Sequence, residues 1–273
     1  MRVSSIKYQV SSIYRRKTLV LVIFVAIGII ALQIPINVLA GAKVKFTLFD
    51  LFAPISGMFL GSAIGAVAVV AMQIVNLIVH GFREVQTDSF IKLLATLRFL
   101  PLVLGVLYFS VGKSYSSSER SESRSSRNSS RPFGTTQGKQ ARTIAKAVLL
   151  VPLLSILAFN VHPIGRTVWY YSLFWLIPLA VWPIRSRFLL ARALGSTFTA
   201  HAVGGAVWIW AFNLPAAVWV SLIPIVALER SIFALGIAAS YILVNNLIAI
   251  LSTKNLLFKS VKVDRRYVVK LLH

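Results

Sequence analysis

The segment that decides the fold is Val44–Gly81, which reads VKFTLFDLFAPISGMFLGSAIGAVAVVAMQIVNLIVHG. It is apolar over a longer stretch than the core helix of a soluble protein needs. A straight helix of this length overshoots the roughly 30 Å hydrocarbon core of a bilayer. Pro54 and several glycines interrupt the segment. A break near Gly61 therefore predicts two short helices, about Leu48–Leu60 and Ser62–His80, folded back on each other.

The glycines of this segment indicate close helix packing. Gly57, Gly61 and Gly65 recur at every fourth residue, a spacing that lets the backbones of membrane helices approach each other. These three residues are predicted to pack rather than to bind a ligand. Asp50 and His80 mark the two ends of the hairpin, and polar groups there are more typical of a transport protein than of a simple anchor.

Composition predicts an all-α polytopic membrane protein. Hydrophobic residues make up 57% of the chain and charged residues only 13%. A soluble domain of this size cannot bury so much apolar surface. The apolar segments predict a bundle of about six to eight transmembrane helices.

The charge balance is strongly basic, with 29 Lys and Arg against 7 acids. The basic residues cluster in the first seventeen positions, one middle loop, the Arg185–Arg192 turn and the final segment. That placement follows the positive-inside rule and favours anionic lipid at the cytoplasmic face over nucleic acid as a partner. Cysteine is absent and the four histidines are far apart in sequence, so neither a metal centre nor a cofactor is predicted.

A Ser/Arg-rich segment, KSYSSSERSESRSSRNSSRPFGTTQGKQAR, divides the chain. It has too few apolar residues to offset the entropy of ordering, so it is predicted to be a disordered cytoplasmic loop. The resulting domains are an N-terminal helical group (1–112), this linker (113–142), a second helical group (143–252) and a basic cytoplasmic tail (253–273). The other predicted spans are about Thr18–Leu39, Phe90–Phe109, Thr143–Val161, Val168–Val181, Gly195–Phe212 and Ala216–Leu251. The last of these is predicted to be either one kinked helix or a re-entrant segment followed by a full span.

The loop charges indicate how the chain crosses the membrane. With the N-terminus in the cytoplasm, two passes through Leu48–His80 put the Ser/Arg segment, the Arg185–Arg192 turn and the final residues on the cytoplasmic side. A single pass would export the most basic loop of the protein. The sequence therefore predicts a multi-pass protein of the cell membrane with both termini cytoplasmic.

Four ionisable residues fall within predicted spans: Arg98, His201, Glu229 and Arg230. Charges at membrane depth are costly and therefore mark candidate functional sites. Consecutive helical residues point apart, so Glu229 and Arg230 are not expected to satisfy each other. We expect Glu229 to pair with His201 or Arg98 across a polar interior, either as part of a site or as a pair that only fixes packing.

Further polar and aromatic residues fall near the predicted outer face. Asn37, Asp50, His80 and His162, with Gln33 and Asn160, are candidates for an outward-facing pocket. The aromatic residues either line that pocket or form an interfacial belt. Asn245 and Asn246 are expected to bond a ligand or, more in keeping with their position, another helix. The aromatic candidates are Trp169, Tyr170, Tyr171, Trp175, Trp208, Trp210 and Trp219.

The run KVKFTLFDLFAPISGMFLGSAIGAVAVV resembles the second and third helices of the substrate-binding S components of energy-coupling-factor (ECF) vitamin transporters. Asp50, Pro54 and the three glycines occupy the matching places. The resemblance implies a membrane receptor that captures a vitamin-like small molecule outside the cell. It also implies a coupling membrane subunit and two ATPases as partners, and a ligand held by the loop after the first helix, here Asn37–Thr47. The first span lacks the Ala-x-x-x-Ala face with which that family docks its coupling subunit.

The leading hypothesis is uptake of a small organic nutrient, with substrate-binding residues Asn37, Asp50, His80, His162, His201 and Glu229. Two other classes stay open: a proton-coupled secondary transporter using Glu229 or His201, and a membrane structural or assembly protein. No nucleotide-binding loop or metalloprotease motif occurs, and a hydrolase using Ser196 and His201 lacks a nucleophile elbow, so the chain is not expected to be an enzyme.

Overall fold

The computed structural model describes residues 18, 21–38, 45–80, 99–111, 135–253 and 263–269. These residues are mainly helical, as composition predicts, with one two-stranded sheet among them. The long elements are α1 (Leu21–Leu32), α2 (Leu48–Leu60), α3 (Ser62–His80), α4 (Phe99–Val111) and α5 (Thr135–Val161), then α8 (Leu189–Phe212) and α9 (Ala216–Thr253). The short elements are β1 (Pro35–Val38), β2 (Lys45–Thr47), α6 (Pro163–Thr167), a 3₁₀ helix (Trp169–Leu176), α7 (Ile177–Ala180) and a 3₁₀ turn (Arg265–Tyr267).

The helices α2 and α3 form the hairpin that the sequence predicts, with the predicted bounds. Gly61 ends α2 at φ 95°, a conformation that glycine adopts without the steric cost of a side chain. A Cβ added to Gly65 would lie 2.5 Å from the Gly57 backbone. The two helices therefore touch through their main chains, and a Cβ on Gly57 would meet Val106 and Ser110 of α4 at 2.9 Å.

The first helix is shorter than predicted. It ends at Leu32, and β1 follows from Pro35, pairing antiparallel with β2. Proline has no backbone N–H and forces the preceding residue out of the helical region, which ends the helix before it. The predicted span Thr18–Leu39 is therefore corrected to a helix followed by a β-hairpin, which the sequence did not indicate.

The segment between α5 and α8 also differs from the prediction. Instead of one span over Val168–Val181, a 3₁₀ helix and the short α6 and α7 follow one another, with turns to Phe188. Pro163 and Pro178 each lie at the start of a short helix, where proline is tolerated. Helix α5 begins already at Thr135, inside the predicted linker.

The last apolar region is one uninterrupted helix, α9, despite Pro224. Its buried face lies along α2: Phe46 contacts Phe233, Leu51 lies against Gly236, and Phe59 stacks on Tyr241. The two helices therefore run parallel. We call the end that holds β1 and β2 the hairpin end, and the end that holds residues 263–269 the strap end.

Two large hydrophobic cores hold these helices together, and a smaller cluster joins Tyr108 and Val111 of α4 to Ala145 and Val148 of α5. One joins α1, α2, α3, α4, α8 and α9. The other is aromatic and centres on Phe159, Tyr171, Trp175 and Trp219, whose rings meet mostly edge to face. Both pack against the same two helices, α8 and α9.

The outward surface of the long helices is apolar. On α9, Leu228 is 65% exposed and Leu243 72% exposed, while the charged Glu229 and Arg230 are buried. On α5, Leu150, Leu154 and Leu157 are exposed. Among the described residues, Thr143–Val161 and Ala216–Thr253 are long and apolar enough to cross a membrane, and α1, α2, α4 and Ser62–Asn76 are shorter apolar helices.

Candidate functional site

The centre of the candidate site is the Glu229–Arg230 pair on α9. The side chains of Glu229 and Arg230 are 6% and 9% exposed, and Arg230 Nη2 donates to Glu229 Oε2 at 2.8 Å. The prediction that neighbours on a helix cannot pair is therefore wrong here. The arginine side chain is long enough to turn back to the preceding residue, and the pairing removes a net charge from the interior.

Arg230 lies between elements that are distant in sequence. Its guanidinium carbon is 4.5 Å from the ring centroid of Phe233 and 5.2 Å from that of Phe46, which lies in β2. Its Nη1 donates to Thr197 Oγ1 of α8 at 3.5 Å. Two aromatic faces and a hydroxyl thus surround the cation, and cation–π attraction is strongest where water is excluded.

Two atoms of the pair carry hydrogen-bonding capacity that no residue in the described part of the chain uses. They are Glu229 Oε1 and Arg230 Nε, one acceptor and one donor. Trp219 Nε1, three turns earlier on the buried face of α9, is a third such atom. Buried polar atoms nearly always have partners, and an unpartnered one costs about 1–3 kcal/mol. The pair therefore keeps one acceptor and one donor that the described residues leave unused.

His201 lies one turn beyond Thr197 on the same face of α8. Trp175 Nε1 donates to its Nδ1 at 3.1 Å, and Tyr171 Oη lies 3.3 Å from its Nε2. Because an indole N–H only donates, Nδ1 must be unprotonated. The imidazole is then neutral, with its proton on Nε2 directed at the Tyr171 hydroxyl. The expected pairing of Glu229 with His201 is therefore wrong, and Arg98 lies outside the described residues.

Electrostatics connects these groups. The charge of Arg230 acts on Asp50, His201 and Tyr171, and the charge of Glu229 also acts on Tyr171. The residues of α2, α8, α9 and the 3₁₀ helix thus share one buried polar region. We call it the polar cluster; its members are Asp50, Tyr171, Trp175, Thr197, His201, Glu229 and Arg230.

The predicted substrate-binding residues divide into three groups. His201 and Glu229 belong to the polar cluster, and Asp50 lies at its edge. Asp50 Oδ2 accepts from Thr47 N at 2.8 Å and caps the start of α2, so it has a local structural role there. Asn37 pairs opposite Phe46 in the sheet, and His80 is the last residue of α3; their side chains lie outside the described part.

His162 lies away from the polar cluster. It precedes α6, where its Nδ1 accepts from Ile164 N at 3.3 Å, and its ring meets Trp210 edge to face at 4.8 Å. Trp210 is nine residues beyond His201 on α8, about 13 Å along the helix. His162 therefore caps a helix at the hairpin end, and the structure does not bring it to the pair on α9.

The predicted aromatic residues include exposed and buried members. Trp169, Tyr170 and Trp210 are exposed, as an interfacial belt requires, whereas Tyr171, Trp175 and Trp219 are buried in the aromatic core. The sequence did not single out Thr197, Phe46 or the role of Trp175. The only available signal was the Thr197–His201 spacing, which puts the two on one helical face.

An open groove of about 420 Å³ lies elsewhere, on the outside of the bundle between α4, α5 and α8. Its lining is apolar apart from Ser155 and includes Leu104, Leu154 and Trp210. Its lining offers no charged group and a single hydroxyl, that of Ser155, to orient a polar solute. The polar cluster, in contrast, is enclosed.

Comparison of the chain with protein-family models, with curated proteins and with solved structures found no match.

Proposed function

We propose that the chain is a multi-pass helical protein of the cell membrane that binds a small organic solute at the polar cluster. The observation that carries the proposal is the inverted polarity of α9: leucines and isoleucines face outward while Glu229 and Arg230 face inward. In water this arrangement would expose a large apolar surface and bury charge, which soluble proteins avoid. In lipid the same arrangement is favourable.

The other helices support this reading. Val22, Ile23, Ile27 and Ile30 are exposed on α1, and Ile64, Val67, Ile74 and Ile78 are exposed on α3. Each set recurs at helical spacing, so each forms a stripe along one side of its helix. Apolar stripes on several helices favour a bundle surrounded by lipid over one anchored by a single span.

Solute binding is supported by the chemistry of the polar cluster. A charged pair in the interior of a membrane bundle is a functional candidate by default. The free oxygen of Glu229 and the free N–H of Arg230 match a solute that carries both a donor and an acceptor. Phe46 and Phe233 add apolar walls. Phe46 belongs to the segment that the resemblance to S components assigns to the ligand.

The proposed energy source for solute uptake rests on the resemblance to S components. We propose that a coupling membrane subunit and two ATPases deliver the solute, as in the ECF transporters that the hairpin resembles. The chain itself would then be the receptor and not the motor. Anionic lipid at the cytoplasmic face is the other proposed partner, because basic residues concentrate there.

Co-purification tests the binding step. The protein is purified in mild detergent and denatured, and the released small molecules are identified by mass spectrometry. We expect one organic compound from the unaltered protein and from a Ser231→Ala control, whose serine is exposed on α9. The double variant Glu229→Gln/Arg230→Met should release less than about a tenth as much. Equal release from all three, or none from any, contradicts the proposal.

A proton-coupled carrier is the second candidate. It is favoured by Glu229 Oε1, a buried carboxylate oxygen without a partner among the described residues, because such acids relay protons in transporters. Liposomes that contain only this protein distinguish the two. Solute uptake driven by a pH gradient, without ATPase subunits, favours the carrier and excludes the receptor model.

A further inference from the structure

Two adjacent asparagines of α9 hold a segment from near the end of the chain. The segment is residues 263–269, which we call the strap. Asn245 donates from Nδ2 to Asp264 O at 2.9 Å and accepts at Oδ1 from Asp264 N at 2.8 Å. Asn246 donates to Tyr267 O and accepts from Val269 N, both at 2.8 Å. Among the described residues, the partners of both asparagines lie in the strap and in α9 itself, so the expectation that the pair bonds another helix is corrected.

All four hydrogen bonds are formed with backbone N–H and C=O groups of the strap. Each asparagine presents its carbonyl oxygen and its amide nitrogen together, as a backbone partner in a sheet would. Such contacts recognise the path of a peptide rather than its side chains. Asn245 is fully buried and Asn246 nearly so. Two buried amides in a membrane-spanning helix are costly unless they are satisfied, and the strap satisfies them.

The strap also contacts a buried tyrosine of α9 at which three helices meet. Tyr241 is fully buried on α9, and its ring meets those of Phe59 on α2, Phe109 on α4 and Tyr267 on the strap. Its hydroxyl donates to Asp264 Oδ2 at 3.4 Å. The strap therefore closes a ring of contacts around Tyr241.

A second contact joins the strap to the turn before α8. Arg266 Nη1 donates to Ser186 O at 3.0 Å. The same guanidinium bonds both oxygens of Asp264, and this hydrogen bonding raises the pKa of Arg266, so the contact keeps its charge. Asp264 also acts electrostatically on the buried Arg192 at the start of α8. The strap thus places one carboxylate at the basic end of the bundle.

We propose that the strap is a reversible latch, held through its main chain by Asn245 and Asn246, which locks the ends of α2, α4, α8 and α9 together when it is docked. Five hydrogen bonds from α9, one ring contact and one hydrogen bond to the Ser186 carbonyl hold it, whereas whole faces hold α8 against α9. The strap is therefore expected to open at a lower free energy than the interface between α8 and α9. Release breaks the hydrogen bond between Tyr241 and Asp264, removes the Asp264 charge from the surroundings of Arg192 and lets the helix ends separate.

Hydrogen exchange on the full chain in lipid nanodiscs tests the first step. The amides of Asp264 and Val269 should exchange slowly in the unaltered protein. In the double variant Asn245→Leu/Asn246→Leu they should exchange at least about tenfold faster. The matched control is Asn160→Leu, which removes an asparagine bonded to Ser172 in another part of the bundle. Unchanged exchange in the double variant overturns the proposal.

Spin labels test the second step. Because the chain has no cysteine, labels can be attached at Ala63→Cys and Ser186→Cys, both at exposed positions of the strap end. The distance distribution between them should broaden or shift when the asparagines are replaced. If the strap amides exchange faster while the distances stay the same, the strap does not lock the helix ends and the proposal fails.

A substitution in the strap itself tests the same hydrogen bonds without changing α9. It therefore controls for misfolding of α9 in the asparagine variants. Val269→Pro removes the N–H that Asn246 accepts and leaves the helix sequence intact, while Val269→Ala keeps the N–H and is the matched control. We expect faster exchange at Asp264 and broader distances for the proline variant only. The same behaviour of both variants contradicts the assigned role of the hydrogen bond.

Discussion

At the scale of single residues, the interior of this protein is arranged around one arginine. Arg230 pairs with its own neighbour, lies against two phenylalanine rings and reaches a threonine of α8. The pair has no net charge, but its hydrogen-bonding capacity is not fully used. Glu229 Oε1 and Arg230 Nε have no partner among the described residues. The stability of the pair and its proposed ligand binding therefore depend on the same two residues, through different atoms.

The charge pair gives the first prediction. Glu229→Gln leaves a buried guanidinium without a counter-charge, which costs about 3–5 kcal/mol. The double variant Glu229→Gln/Arg230→Met removes both charges and should recover most of that loss. Denaturant unfolding in detergent measures both, with Ser231→Ala as the control. Equal stability of the single variant and the unaltered protein contradicts the pairing.

His201 gives the second prediction. Its contact with the Trp175 indole fixes the neutral imidazole with its proton on Nε2. Nitrogen-15 spectra at neutral pH should show that single tautomer, with the His201 signal assigned by its loss in His201→Asn. In Trp175→Phe the donor to Nδ1 is gone, and we expect a mixture of the two tautomers. A mixture already present in the unaltered protein contradicts the geometry.

At the scale of elements, the hairpin of α2 and α3 depends on the absence of side chains where its helices touch. The Gly57 and Gly65 backbones meet, and α4 closes on Gly57 through Val106 and Ser110. Each of these contacts is with backbone or with a short side chain, so little can move aside. Three helices are thereby fixed around two glycines.

The hairpin gives the third prediction. Gly65→Ala places a methyl group within 2.5 Å of the Gly57 backbone, so the helices must separate, at a cost of about 1–3 kcal/mol. Gly204→Ala is the control, because its nearest neighbour is a Pro101 carbon at 3.9 Å. We expect the control to be neutral or slightly stabilised, since alanine favours helix. Thermal unfolding of both variants measures the difference.

At the scale of the whole molecule, the polarity of the bundle is inverted relative to a soluble protein. Leucines and isoleucines cover the outside of α1, α3, α5 and α9, and the charged and amide groups of α9 face inward or are covered by the strap. The parallel course of α2 and α9 puts the strap end opposite the β-hairpin. Together with the basic turn at 185–192, this makes the strap end the expected cytoplasmic side.

This orientation gives the fourth prediction. Single cysteines are introduced at Ser126, Ser186 and Thr167 of the cysteine-free chain, and intact cells are treated with a membrane-impermeant maleimide. Thr167→Cys should react at once, whereas Ser126→Cys and Ser186→Cys should react only after permeabilisation. Labelling of Ser126→Cys in intact cells would refute the two-pass hairpin and the proposed topology with it.

What the sequence determined by itself was local. The hairpin bounds, the helix over most of 143–161 and 216–251, and the candidacy of His201 and Glu229 follow from apolar run length, glycine placement and the position of charge along the chain. These properties depend on neighbouring residues. The local features placed wrongly were the breaks at Pro35 and between α5 and α8, and the starts of α5 and α8, which lie earlier in the chain than predicted.

The tertiary structure alone decided which groups meet. Three contacts illustrate this: Glu229 pairs with Arg230, Trp175 fixes the tautomer of His201, and Asn245 binds the strap. Each depends on how the side chains are placed in the folded bundle, which no local sequence pattern encodes. A buried polar group takes whichever partner the packing of apolar faces brings within about 3 Å. That choice is made by the whole bundle, because burying the apolar faces sets the helix positions before any single polar contact can.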